Sequence, residues 1–321
     1  MCDIGENRIK GLELSKAYFE TFGRPVLERE FPDLIGMLAV GLFGSGSECF
    51  GFDDDISMDH DFEPGFCIFL PGEELIDRKQ EFGLERAYAK LPKEFMGCRR
   101  LMLQPVGGAR HGVFRTAEFF LDKTGSADGV LDTEDWLRIP EHSLAEAVNG
   151  EIFSDPYGEV TRIRERLSYY PEEVRQKKLA GNLLLMAQSG QYNYLRCIRH
   201  RETAAAQLAV FEFAKSTMEA IFLLNRRYQP YYKWSFRALR ELPRMSLEAE
   251  LLEYLITSGN EPDQAEEKYN VIEGIAADVI DELKEQELSD AVCGDLEKHA
   301  YSVNDRIRDT GLRNMHILAA V

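Results

Sequence analysis

The chain has six cysteines, at positions 2, 49, 67, 98, 197 and 293, and no two of them form a CxxC pair. Scatter this wide excludes zinc-finger spacing and a disulfide framework, so the thiols are expected to be free and buried. Long apolar runs are also missing. The most apolar stretch, residues 34–44 (LIGMLAVGLFG), is too short to cross a bilayer, and the opening MCDIGENRIKG lacks the basic-then-apolar pattern of a secretory signal. A cytoplasmic protein without membrane contact is the expectation. Positive charge is scarce too. The chain carries 38 Lys and Arg against 56 Asp and Glu, a net charge of −18, which disfavours bulk nucleic acid as a partner.

The charge is unevenly spread. Residues 159–244 hold 16 Lys and Arg against 8 Asp and Glu, a local +8 that leaves −26 for the rest. A basic middle in an acidic protein suggests either a local anion site, such as one for phosphates, or solvated helix faces paired with nearby acids.

At 321 residues the chain is long enough for two domains. Residues 8–31 have helical spacing with a break near Gly23-Arg24-Pro25, and GMLAVGLFG suits a short buried strand. DDDIS reads as a loop. MDHDFEPGFCIFLP becomes apolar as a strand would, residues 73–92 are helical, and HGVFRTAEFFL (111–121) is another strand, closed by Thr124 and Gly125. From Asp135 onward the spacing is helical, over 158–170, 171–189, 191–200 and 203–228, with breaks at Pro171 and at Ser189-Gly190. The predicted architecture is an α+β domain with a small mixed sheet and helices over residues 1–130, followed by an all-α helical bundle over 131–321.

The most unusual stretch is GSGSECFGFDDDISMDHDF, residues 44–62, with five aspartates (53, 54, 55, 59 and 61) within nine positions. A calcium loop beginning at Asp53 would need glycine at its sixth position and glutamate at its twelfth, where Met58 and Pro64 stand. That reading fails. A solvated acidic turn accounts for residues 53–55. It accounts poorly for Asp59 and Asp61, which lead into the apolar run 66–70, because carboxylates at the mouth of a buried strand are costly unless paired or bound to metal. A period of two puts Asp59 and Asp61 on one face and turns His60 away, leaving His60 a packing or supporting residue. Two carboxylates on one face can bridge two Mg²⁺ ions, and a Gly-Ser turn can seat phosphates on its backbone N–H groups.

Gly46, Ser47, Gly51, Asp59 and Asp61 resemble the signature of the nucleotidyltransferase superfamily with the DNA polymerase beta-like fold, with Gly44-Ser45 as a second possible Gly-Ser. The segment is most similar to a bacterial branch of unassigned substrate. The helical half resembles the same branch around Trp136 and in GEIFSD (150–155), GQYNYLR (190–196) and LLNRRYQPYYKW (223–234), so the likeness runs from about residue 10 to 245.

The resemblance implies Mg²⁺-dependent transfer of a nucleoside monophosphate from a nucleoside triphosphate to a hydroxyl of a small-molecule or protein acceptor. Asp59 and Asp61 would hold the metals, and Gly46 and Ser47 the phosphates. A third carboxylate is expected on the strand at 112–121, where Glu118 is the only acid and Asp122 follows its end. Lys233 would contact phosphate beside Tyr231, Tyr232 and Trp234, or else it is a surface lysine beside core aromatics. Tyr192, Asn193 and Arg196, with Arg199 on the same helix face, are a second set for nucleotide contacts or for structural pairing. Trp136, Phe211 and Phe213 are expected in the core. The acidic balance suits a cationic acceptor of the aminoglycoside type. The rival reading is a catalytically degenerate nucleotide-binding protein or one half of a toxin–antitoxin pair. Modification of tRNA ends would need a longer basic track.

Overall fold

A computed structural model describes residues 9–54, 63–100 and 110–321. The chain divides into two compact units, Met1–Leu131 with Ser143–Ser168, and Asp132–His142 with Tyr169–Val321. The division expected at residue 130 therefore differs in one respect: residues 143–168 return to the first unit.

The first unit opens with α1 (Gly11–Tyr18), a wide helical turn (Phe19–Gly23) and α2 (Arg24–Glu30). The break expected at Gly23-Arg24-Pro25 is instead a continuous helical path. Pro25 sits in the first turn of α2, directly after the wide turn. A four-stranded mixed sheet follows, built from β1 (Ala39–Leu42), β2 (Cys67–Leu70), β5 (Gly112–Arg115) and β6 (Glu151–Ser154) in the order β5-β2-β1-β6. β1 pairs antiparallel with β2 and β6, whereas β2 and β5 run parallel. A two-stranded ribbon, β3 (Glu94–Phe95) with β4 (Cys98–Arg99), lies outside this sheet.

Strand alternation gives the sheet two apolar faces. Val40, Ile68 and Leu70 pack with Tyr18, Phe19 and Leu27, and with Leu84 and Tyr88 of α3 (Arg78–Ala89). On the other face Phe43 stacks on Phe69 at 4.5 Å, and Phe119 of α4 (Thr116–Thr124) meets both edge-on. α6 (Glu141–Val148) and α7 (Glu159–Arg166) flank β6 in sequence, and the Arg164 guanidinium covers the Phe43 ring at 4.8 Å.

HGVFRTAEFFL is not one strand. β5 stops at Arg115, whose buried guanidinium is held by Glu81 (2.7 Å) and the Pro71 carbonyl (2.7 Å), and α4 begins at once. The buried positions Thr116, Phe120 and Thr124 are spaced by four, a helical period that the aromatic content conceals.

The second unit is helical, with α5 (Thr133–Arg138), α8 (Glu172–Met186), α9 (Leu195–Arg199), α10 (Thr203–Leu224), α11 (Tyr232–Arg240), α12 (Glu248–Thr257), α13 (Pro262–Glu285), α14 (Leu296–Asp305) and α15 (Thr310–Asn314). The break expected at Ser189-Gly190 is a wide helical segment, Ala187–Tyr194, joining α8 to α9. A Cβ on Gly190 would come within 2.4 Å of Phe213, so glycine is what lets α10 approach. No helix among the described residues is long and apolar enough to cross a membrane.

α8 is enclosed by α10 and α14 and is buried nearly all round, although it carries Arg175, Lys177 and Lys178. Each has an internal acceptor. Lys177 Nζ donates to Asn304 Oδ1 (2.9 Å) and the Met315 carbonyl (2.8 Å), Lys178 Nζ to the Ala320 carbonyl (3.2 Å), and Arg175 to the Leu223 carbonyl (3.2 Å) and Glu172 (2.6 Å). Buried charge is retained only when paired in this way. These three members of the basic middle are therefore structural donors, neither anion ligands nor solvated charges.

Candidate functional site

The end of β1 runs into a turn at residues 44–47. Gly44 (φ 114°) and Gly46 (φ 134°) have backbone angles that other residues rarely adopt. Asn149 clamps the turn: Gly44 N donates to Asn149 Oδ1 (2.8 Å) and Asn149 Nδ2 to the Gly44 carbonyl (2.8 Å). Ser45 Oγ donates to Glu146 (2.8 Å), and Lys123 Nζ reaches both Glu146 (2.6 Å) and Ser45 Oγ (3.1 Å). Ser47 precedes a short 3₁₀ turn, Glu48–Phe50, and its carbonyl accepts from Phe50 and Phe52 N–H.

Sequence reasoning missed Glu48, Lys123 and Glu146. Glu48 is buried, and its carboxylate folds back so far that a Cβ on Gly46 would lie 2.5 Å from Oε1. That oxygen has no hydrogen-bond partner among the described residues. Burial raises the Glu48 pKa above the usual carboxylate range. Its own backbone N–H, His111 and Arg110 oppose the shift, and Asp53 adds to it. A carboxyl group whose burial disfavours ionisation thus lies against the turn expected to seat phosphates.

The aspartate run divides. Asp55, Asp59, His60 and Asp61 lie outside the described residues. Asp54 is exposed, but Asp53 is buried, which corrects its reading as part of a solvated turn. Asp53 Oδ2 accepts from Gly11 N (2.9 Å) at the start of α1, and Lys10 Nζ donates to the Asp53 carbonyl (2.8 Å). The carboxylate acts as a helix cap supplied from a distant loop. Asp53→Ala is expected to cost about 1–2 kcal/mol, as caps do, read as a lower urea midpoint with unchanged slope.

Beyond the aspartates, residues 63–66 lead into β2. Glu63 Oε1 lies 3.2 Å from His111 Nδ1, Ser15 Oγ donates to the Gly65 carbonyl (2.6 Å), and Phe66 N donates to Tyr88 Oη (3.1 Å). Because Cys67 lies opposite Gly112 in a parallel pair, it is His111 that stands beside the start of β2. Glu118 is not on the strand as expected. It is exposed in the first turn of α4, because the strand ends at Arg115.

The remaining expected residues belong to the second unit. Tyr192 and Asn193 lie in the wide segment and are exposed, and Arg196 donates to Tyr192 Oη (2.8 Å) with its guanidinium over that ring. Lys233 is exposed in the first turn of α11, its ammonium 4.8 Å from the Trp234 ring centre. Phe213 and Trp136 are buried as expected, but Phe211 is 46% exposed.

Residues 136–235 match DUF4037, a domain of unknown function. Comparison with curated proteins gives no match. The DUF4037 stretch covers 100 of the 321 residues and contains all four helical-half segments quoted above.

Within the DUF4037 stretch, Trp136, Tyr169, Tyr170 and Tyr228 form one aromatic cluster, with Tyr170 and Tyr228 at 4.9 Å and Trp136 and Tyr170 at 5.7 Å. Beside it stands Glu141, whose pKa burial pushes up to about 7. Lys178 opposes the shift, Glu219 adds to it, and the Gln229 N–H and the Tyr170 hydroxyl oppose it. An acid whose pKa is raised on folding stabilises the protein fully below its ordinary value of 4.5, and that contribution is lost as pH rises to about 7. The full swing is at most about 3 kcal/mol. Denaturant midpoints should therefore fall between about pH 5 and about pH 8 in the wild type. Glu141→Gln, neutral throughout, should remove this part of the slope. A variant with the wild-type slope would contradict the assignment.

Proposed function

We propose that the protein is a nucleotidyltransferase, with the first unit as its nucleotide-binding domain and a small molecule or a protein as acceptor. The observation that supports this reading is the register of β1 and β2. Gly41 lies opposite Cys67, so the turn at 44–47 and residues 63–66, which follow Asp59 and Asp61 in sequence, meet at one end of the same ladder. Two chain segments that recur together in the resemblance thus converge through an antiparallel pair 26 positions apart (41 and 67).

In the proposed reaction an acceptor hydroxyl oxygen bonds to the α-phosphorus of a nucleoside triphosphate. The bond from that phosphorus to the bridging oxygen breaks, pyrophosphate leaves with the electron pair, and the hydroxyl proton passes to solvent. Backbone N–H groups of the Gly46–Ser47 turn would hold phosphate oxygens. Mg²⁺ held by Asp59 and Asp61 would supply positive charge to the triphosphate. Among the described residues no group of three or more His, Cys, Asp or Glu is arranged for a metal, so the metal assignment rests on those two aspartates. The net charge of −18 favours a cationic or neutral acceptor over nucleic acid.

The test is release of pyrophosphate from each nucleoside triphosphate in the presence of Mg²⁺, across sugar, amino-sugar and protein hydroxyl acceptors. Release that depends on one acceptor class supports transfer. Saturable nucleotide binding with no release across the panel supports the second reading, a nucleotide-binding protein without turnover. That reading is favoured by one observation: Glu118, the acid expected on the strand at 112–121, lies on an exposed helix face instead.

A further inference from the structure

The second unit contains a cleft of about 720 Å³, within the usual range for small-molecule sites. All but three of its 17 lining residues, Ala319, Ala320 and Val321, fall in the DUF4037 stretch. Its apolar walls include Leu137, Ile139, Met218 and Pro230, and Tyr231 and Tyr232 stand exposed at it with ring centres 4.4 Å apart. Large aromatic rings left in water beside an apolar cleft are poor packing for a core and good packing for a ligand.

Two acceptors of the cleft, the Glu141 carboxylate and Gln229 Oε1, are short of donors among the described residues. Glu141 and Glu219 both line it. The Gln229 amide donates through Nε2 to Ser235 Oγ (3.0 Å), which leaves its Oε1 buried with no partner among the described residues. Among the described residues the backbone donor on Glu141 is Gln229 N at a long 3.4 Å, and the buried Tyr170 hydroxyl has no well-formed hydrogen bond among them. The cations of the lining are already engaged. Arg138 pairs with Glu134 (2.9 Å), Lys215 with Glu219 (3.8 Å), and Lys178 donates to the Ala320 carbonyl (3.2 Å). His142 packs edge-on against Tyr231 at 5.6 Å. Burial raises the pKa of Glu141 and of Glu219 although Lys178 opposes both shifts and Lys215 also opposes that of Glu219, so a further cation beside Glu141 would offset the cost of its burial.

We propose that this cleft binds a small organic amine, its ammonium donating to Glu141 and Gln229 Oε1 and its carbon body lying against Tyr231 and Tyr232. An ammonium brings three donors to the Glu141 and Gln229 oxygens and a positive charge to the Glu141 carboxylate, while the cations of the lining are held by Glu134, Glu219 and the Ala320 carbonyl. The faces of the two rings also attract cations directly. The proposal does not depend on nucleotide transfer by the first unit.

Calorimetric titration of the whole chain tests this at about pH 8, where the amines are still charged. The probes are tyramine and putrescine, each against its neutral counterpart, tyrosol and butane-1,4-diol. The expected result is that each amine binds at least about tenfold more tightly than its alcohol, and that Glu141→Gln abolishes the preference while keeping the fold by circular dichroism. Tyr232→Ala, an exposed position, should weaken tyramine more than putrescine. Amines that bind no better than their alcohols, or do not bind at all, overturn the proposal. So does a preference that survives in Glu141→Gln.

Discussion

Gly150→Ala is expected to destabilise the first unit by about 3 kcal/mol or more, among the largest effects a single methyl can have. Gly150 precedes β6 with φ 60°, and its N–H donates to the Cys49 carbonyl (2.8 Å). A Cβ there would lie 2.0 Å from the Leu42 carbonyl oxygen and 2.9 Å from Phe43 Cα. Both obstacles are backbone, so no rotamer change relieves them, and either β6 or β1 must move. Moving β6 breaks the pairing of Glu151 with Leu42 and pulls on Asn149, the clamp of the Gly44 turn. The substitution should therefore lower the melting temperature and, if the turn at 44–47 seats a nucleotide as proposed, weaken its binding as well. Gly274→Ala is the control. It lies exposed in α13 with open space where a Cβ would go, and should stabilise by about 0.5–1 kcal/mol through helix propensity. A Gly150→Ala variant that melts like the wild type would refute the packing described around β1 and β6.

The second large effect is expected in turnover. If the chain transfers nucleotides, Asp59→Ala or Asp61→Ala should each reduce pyrophosphate release by roughly a hundred- to a thousandfold, the usual scale for losing one group that stabilises developing charge. Glu118→Gln should leave the rate within about twofold, since the residue lies on an exposed helix face where water screens its charge. The contrast separates two accounts of the third carboxylate. A large loss in Glu118→Gln would restore the sequence expectation against the fold, and full activity in both aspartate variants would eliminate the Asp-x-Asp site.

The amino-acid order alone was enough for the elements whose pattern is local. GMLAVGLFG contains β1, the helical spacing over residues 73–92 contains the shorter α3, and the change to helical periodicity after Asp135 marked the second unit's character. The same locality limited the reading of HGVFRTAEFFL. Its aromatic content favours a strand, and only the burial of Thr116, Phe120 and Thr124 against the sheet reveals the helix that removes Glu118 from the strand.

Long-range partners decided the rest. GEIFSD is four half-buried strand residues with turn residues on either side, and it completes the sheet only because β1 has a free edge more than a hundred positions earlier. Asp53 looked solvated among acidic neighbours, yet Gly11 offers it an orphan helix N–H. Arg175, Lys177 and Lys178 belong to the basic middle, yet they are buried because α10 and α14 close over α8, with acceptors supplied by Leu223 of α10 and by Met315 and Ala320 near the end of the chain. A sequence fixes which groups a chain carries and the spacing at which neighbours repeat. Whether a charge faces water or a distant carbonyl depends on which surfaces pack together, and that is a property of the folded chain alone.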